Sequence, residues 1–302
     1  MHINDWWLRY RGVIPDFDAF RAALAAPPPV HLRVNPRRTT SAALRERLAA
    51  VGVRLEDAPV PGAFRAGGMT RPGLSTEFLL GHYYVQGLTS MMPALALAPA
   101  PGERVLDLCA APGSKTTQIA DMIGDQGLVV ANDLKIHRLR ALQSNLERLG
   151  VVCAAVTSYR GEHFPRRLLF DRVLVDAPCS GEGTWREVPP KRSLEWDTGQ
   201  SERLAPVQLR LLQRAADVVR SGGVLVYSTC TYAPEENEAV VDAFLSERED
   251  FAVEPVSLPV PHAPGLAGWK DRAYGNSLGH AARIYPHLVD SWGFFVARLR
   301  RA

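Results

Sequence analysis

From about Thr89 onward, short β-branched and aliphatic runs alternate with stretches whose apolar residues recur every third or fourth position. The runs predict strands over 104–108, 127–132, 152–157, 171–176 and 223–228. Between them, Leu139, Leu142, Leu146 and Leu149 fall at helical spacing and stop at Gly150. Leu204, Val207, Leu211, Ala215 and Val218 do the same before Gly222. Repeated strand–helix units predict an α/β fold, a doubly wound parallel sheet with helices on both faces. Residues 1–72 have a different rhythm. Asp16–Leu24 reads as a short capped helix closed by Pro27-Pro28-Pro29, His31–Val34 as a strand, Ser41–Ala50 as a helix and Val53–Leu55 as a second strand. That order suggests a small α+β module, with the Gly- and Pro-rich stretch Pro59–Gly73 as its connector. The expected division is 1–72 and 73–302. Ser180–Gln200 is long, polar and without period, the mark of a functional loop.

With 302 residues, 46% of them hydrophobic, the chain can bury a core large enough for about two domains. No run approaches ~18 apolar residues, so no membrane span is expected. The start, Met1-His2-Ile3-Asn4-Asp5-Trp6-Trp7, lacks the basic-then-apolar design of a signal peptide. Cysteines at 109, 153, 179 and 230 have neither CxxC spacing nor the density of a secreted framework, which suits reduced thiols in a cytoplasm. His31, His82 and His163 show no ligand spacing, so no metal is expected, and a monomer is. The net charge of +3 conceals an asymmetry: residues 1–72 hold 11 Arg and no Lys against 6 acidic residues, and the remainder is net −2. A basic N-terminal region suits a polyanionic partner. Arginine is also this chain's general choice of base, 31 against 4 lysines, so an ordinary solvated surface fits too.

Candidate chemistry clusters at strand exits. Ala111-Pro112-Gly113 follows the strand ending near Leu108 and turns into a helix at Ser114, and Asp133 closes the next strand 20 residues on. An acidic side chain at that distance meets ribose hydroxyls in nucleoside-binding sheets. Neither GxGxxG nor GxxxxGK[ST] is present, so a nucleoside without phosphates, such as S-adenosylmethionine, fits better than a dinucleotide or a nucleoside triphosphate. Two further exits carry thiols, Asp176-Ala177-Pro178-Cys179 and Ser228-Thr229-Cys230. A nucleoside turn and two thiols at one sheet edge suggest an enzyme that uses sulfur as a nucleophile.

Three blocks carry a family resemblance: Asp107-Leu-Cys-Ala-Ala-Pro-Gly-Ser-Lys-Thr116, Asp176-Ala-Pro-Cys-Ser-Gly-Glu-Gly183 and Tyr227-Ser-Thr-Cys-Thr231. Together they resemble the signature blocks of the Nol/Nop/Sun RNA cytosine-5 methyltransferases. Leu32–Pro36, Tyr84–Met91 and Gly293–Ala297 extend the likeness along nearly the whole chain. The opening Arg9-Tyr10 with Ile14-Pro15-Asp16-Phe17 looks most like the bacterial branch acting on small-subunit rRNA. The resemblance implies a Rossmann-like S-adenosylmethionine-dependent methyltransferase domain, an RNA-binding N-terminal module and RNA as substrate, rRNA before tRNA. A non-catalytic RNA-binding protein on a relict fold is the rival from another class; both thiols and Asp176 argue against it.

By the same resemblance, Cys230 is the nucleophile that adds to cytosine C6 and Cys179 the thiol that assists release. Asp176 faces the pyrimidine and Lys115 helps hold it. Cys109, Ala110, Ala111, Pro112, Gly113, Ser114, Lys115, Asp133, Arg138 and Asp176 line the cofactor. Simpler readings stand beside these. Cys153 and in part Cys109 read as small buried hydrophobes, Asp133 as a helix cap, and Trp6, Trp7, Trp185 and Trp196 as core or as RNA-stacking residues. Relatives of this branch usually carry an Asp after the third strand, where this chain reads Thr157-Ser158-Tyr159-Arg160-Gly161; weaker cofactor affinity is expected. Arg37 and Arg38, with Arg186, Lys191 and Arg192 of the long loop, are the expected RNA contacts.

Overall fold

A computed structural model of the chain describes residues 6–186 and 199–302. The N-terminal module contains α1 (Phe17–Leu24), β1 (His31–Val34), α2 (Ser41–Ala49), β2 (Arg54–Asp57), β3 (Ala63–Gly67), α3 (Thr76–Leu79) and β4 (Tyr83–Val85). Short polar caps start the two longer helices: the Asp16 carboxylate accepts from the Ala19 amide and the Thr40 hydroxyl from that of Ala43. The strands form an antiparallel sheet in the order β2-β3-β1-β4. Leu44 and Leu48 of α2 pack with Leu32, Leu55, Phe64 and Tyr83 of the sheet. Two features depart from the sequence reading. Strand β3 lies inside the stretch read as a connector, and β4 carries the sheet past residue 72. Gly62, at φ 73°, makes the turn into β3, so the glycine that suggested a loop serves a hairpin.

After α4 (Met92–Leu97) the strand–helix pattern begins. β5 (Arg104–Asp107), α5 (Ser114–Met122), β6 (Leu128–Asn132), α6 (Ile136–Leu149), β7 (Ala154–Thr157), β8 (Phe170–Asp176), α7 (Gly199–Val218) and β9 (Val219–Thr229) follow in turn. Then come α8 (Glu238–Glu247), β10 (Phe251–Glu254), β11 (Ala263–Pro264), a small hairpin of β12 (Gly268–Trp269) and β13 (Arg272–Ala273), β14 (Ala282–Ile284) and β15 (Phe294–Arg301). The main sheet runs β11-β14-β15-β9-β8-β5-β6-β7, with β10 also on β15. From β9 to β7 it is parallel, as expected; β15, β14, β11 and β10 extend it antiparallel. Val173, Leu174 and Val175 are fully buried because helices cover both faces, which is why these strands read as unbroken apolar runs.

The chain leaves β5 toward β6 and β7, then returns to place β8 and β9 on the other side of β5. Strand order therefore reverses at β5, and a crevice opens beyond the carboxyl ends of β5 and β8. The two units are joined by side chains. Arg33 and Arg37 of the module both pair with Asp121 on α5, and Arg37 also with Asp125. Trp6, Tyr10 and Phe20 pack with Tyr232 and Tyr285 of the larger unit. No helix among the described residues is long and apolar enough to cross a membrane.

Candidate active site

Backbone and side-chain bonds shape the turn after β5. The Ala110 amide donates to Asn132 O (2.8 Å), and the Ala111 amide to the Asp133 carboxylate (3.2 Å). Asp133 also pairs with Arg138 (3.1 Å), which donates back to Ala111 O, and its second oxygen accepts from the Lys135 amide (3.0 Å). Asp133 thus organises both the turn and the entry to α6. Gly113 has φ 102°, and a Cβ there would lie 2.8 Å from Leu142 Cδ1, so only glycine fits. Asn132 ties three strand exits together by donating to Leu108 O and Tyr159 O and accepting from the Tyr159 amide.

Asp107, fully buried, accepts from Thr116 Oγ1 (2.7 Å). Burial pushes its carboxyl up to about 7; the Thr116 hydrogen bond opposes this and the nearby Asp176 charge adds to it. Asp107 Oδ1 and Ser114 Oγ are buried without a partner among the described residues. Unmet polar atoms at a nucleoside-type turn are what a cofactor would satisfy, so the residues here fit S-adenosylmethionine.

Across the crevice the two thiols meet: Cys179 Sγ and Cys230 Sγ are 3.3 Å apart, both as free cysteines. The hydrogen bond from Cys179 lowers the Cys230 pKa; burial and the Asp176 charge oppose this, and Lys115 supports it. Cys179 is pushed well above the ordinary thiol range, first by that same bond and then by burial. The two thiols are thus shifted in opposite directions, Cys230 toward easier ionisation and Cys179 away from it. Lys115 Nζ lies 2.7 Å from Asp176 Oδ2 and donates to Ser90 Oγ (3.1 Å), while Asp176 Oδ1 accepts from Ser228 (2.8 Å). The two thiol turns are also latched together: Ser180 and Thr231 hydroxyls are 2.7 Å apart, and the Gly183 amide donates to Cys230 O (2.9 Å).

Cys230, Cys179, Asp176 and Lys115 thus converge, with Cys109 through Ser114, Asp133 and Arg138 at the adjoining turn. Burial raises the Cys109 thiol well above its usual range and holds that of Cys153 at about 12, so neither is poised to ionise. Trp6 and Trp185 pack edge to face in an aromatic core. Two expected RNA contacts are otherwise engaged. Arg37 is held by Asp121 and Asp125. Buried Arg186 binds Ala23 O, Ala26 O, Ser291 O and Asp290, and so ties α1 to the C-terminal segment. Lys191, Arg192 and Trp196 lie outside the described residues. The sequence reading missed Asn132, Gln208 and Glu236; the one signal was the polar run Glu235-Glu236-Asn237-Glu238 soon after a thiol exit.

The sheet has the Rossmann-like fold of S-adenosylmethionine-dependent methyltransferases, with the turn after β5 and the thiol pair at its switch point. Residues 94–300 match the family described as 16S rRNA methyltransferase RsmB/F, and the chain belongs to that family. It is 37% identical over 294 residues to the tRNA (cytosine(49)-C(5))-methyltransferase of Pyrococcus abyssi, covering 95% of this chain and 93% of that one. It is 39% identical over 285 residues to the 26S rRNA (cytosine-C(5))-methyltransferase nsun-1 of Caenorhabditis elegans, covering 91% of this chain. The chain spans only 42% of that nematode protein's length. A solved methyltransferase homologue from Pyrococcus horikoshii superposes with a TM-score of 0.83 at 32% identity, covering 94% of this chain and 90% of that one.

Proposed function

We propose that this protein transfers a methyl group from S-adenosylmethionine to C5 of a cytosine in RNA, with small-subunit rRNA as substrate, through a covalent Cys230 intermediate. The observation that carries the mechanism is the pair of free thiols, 3.3 Å apart beside the Lys115–Asp176 ion pair. Cytosine C5 is a poor nucleophile until a thiolate adds at C6. The Cys230 thiolate forms the C6–S bond, and the C5–C6 π electrons move toward N3 and the carbonyl. The Asp176 carboxylate accepts from the exocyclic amine and so orients the base edge, and Lys115, its 2.7 Å partner, offsets the negative charge that develops at N3. The turn around Gly113 and Asp133 would hold S-adenosylmethionine, which would supply an electrophilic methyl group to C5 and leave as S-adenosylhomocysteine. On elimination the C5 proton passes to water, its C–H electron pair re-forms the C5–C6 double bond, and the C6–S electron pair returns to Cys230. The Cys179 S–H stabilises the departing thiolate, the same contact that lowers the Cys230 pKa in the free protein. The target cytosine has to leave its stack to reach Cys230.

The N-terminal module would hold the RNA backbone through exposed Arg38 and Arg47, whose charges both bear on His82. A second reading, tRNA as the substrate, is favoured by the end-to-end match to the Pyrococcus abyssi relative. Methyl transfer from radiolabelled S-adenosylmethionine to 16S rRNA and to tRNA transcripts separates the two, with nucleoside mass spectrometry identifying the product. The expected result is 5-methylcytidine in the 16S transcript and none in tRNA. Label in tRNA alone would establish the second reading, and label in neither RNA with a folded, cofactor-binding protein would overturn both.

A further inference from the structure

We propose that Gln208 and Glu236 are positioning residues for Cys179, and that product release depends on them while methyl transfer does not. The inference rests on the covalent reading above. Cys179 lies in the segment that leaves β8, where no ladder fixes the backbone. Gln208 on α7 donates to Pro178 O (2.9 Å), and the Ser180 amide donates to Glu236 Oε2 (3.0 Å). Gln208 Nε2 also donates to that same Glu236 oxygen (2.8 Å). One linked pair therefore grips the residues on both sides of Cys179. The pair is itself anchored, because Glu236 O accepts from the fully buried Tyr227 hydroxyl (2.6 Å).

Stability alone does not account for this arrangement. Both side chains are fully buried, and Gln208 Oε1 and Glu236 Oε1 have no partner among the described residues. Unmet polar atoms in a core are costly, and an apolar pair of similar volume would cost less. The Glu236 charge also adds to the forces that keep Cys179 protonated, behind its bond to Cys230 and burial. That is the form in which it can donate to a departing Cys230 thiolate.

The test compares Gln208→Leu, Glu236→Ala and Glu236→Gln with wild type and Cys179→Ala, each with RNA and S-adenosylmethionine. Single-turnover methylation, multiple-turnover rate and the covalent fraction on denaturing gels are read in parallel. Gln208→Leu and Glu236→Ala should methylate once at a rate within about threefold of wild type, then turn over about tenfold more slowly while adduct accumulates. Glu236→Gln keeps an acceptor for the Ser180 amide and should release product faster than Glu236→Ala. Equal loss of single and multiple turnover, without adduct, would make the pair general supports and overturn the inference. If one variant fails to fold, the others carry the same comparison. Absence of adduct in Cys179→Ala would instead refute the covalent reading beneath it, which separates the two failures.

Discussion

Asp107 shows how far burial can move one residue. Its unfolded carboxyl titrates near the model-peptide value of about 3.9, whereas in the fold burial raises it to about 7. Between those values the folded state binds a proton that the unfolded chain does not. The resulting stability is fully present below the unfolded value and is lost as pH rises through about 7. Asp107→Asn, which cannot ionise, should lack this dependence. In urea melts, wild type should lose stability relative to Asp107→Asn by on the order of 1 kcal/mol per pH unit between pH 4 and 7. A difference that stays flat over that range would mean the carboxylate is ionised in the fold. Asp107, Cys109 and both thiols of the site were visible in the sequence as strand-exit residues. Their ionisation was not, because it depends on a hydrogen bond between residues 51 positions apart and on what covers them.

Among the elements, the most legible were those whose pattern is local. β1 and α6 fall where the sequence predicts, since an amphipathic helix ending at glycine and a short run bounded by Pro29 and Pro36 need no distant information. β3 was hidden because five residues flanked by glycine and proline look like a loop until β1 and β2 pair with them. Charge was the least legible signal. The net +5 of residues 1–72 does not say which arginines face solvent: Arg37 pairs across to α5, whereas Arg38 and Arg47 are exposed and have no ion-pair partner among the described residues. The two groups should behave differently. Arg38→Gln with Arg47→Gln should reduce the salt dependence of RNA binding by about two units of log–log slope and leave stability unchanged. Arg37→Gln should lower thermal stability and leave the slope at wild-type value. A double variant whose slope against salt matches wild type would remove these arginines from the RNA surface.

At the scale of the whole molecule, the site exists because the strand order reverses at β5. That reversal sets the cofactor turn beside the thiol exits of β8 and β9. Lys115, Asp176, Cys179 and Cys230 could be named in advance because each sits within a recognisable block, three of them on or just after a strand end and Lys115 in the first turn of α5. Gln208, Glu236 and Asn132 could not, since their work is to hold backbone in other elements and none of them lies in a recognisable block. The N-terminal module closes on the same assembly: Arg33 reaches Thr117 and Asp121 on α5, the helix that carries Lys115.

The central claim is that Cys230 forms the bond to RNA and Cys179 breaks it, and peptide mapping of trapped complexes tests it most directly. Cys179→Ala, incubated with substrate RNA and S-adenosylmethionine, should give a denaturation-resistant complex whose modified peptide contains Cys230 with a methylated cytidine attached. Cys230→Ser should give no complex and no methylation. A complex formed by Cys230→Ser but not by Cys179→Ala, or a cytidine mapped to Cys179, would contradict the account.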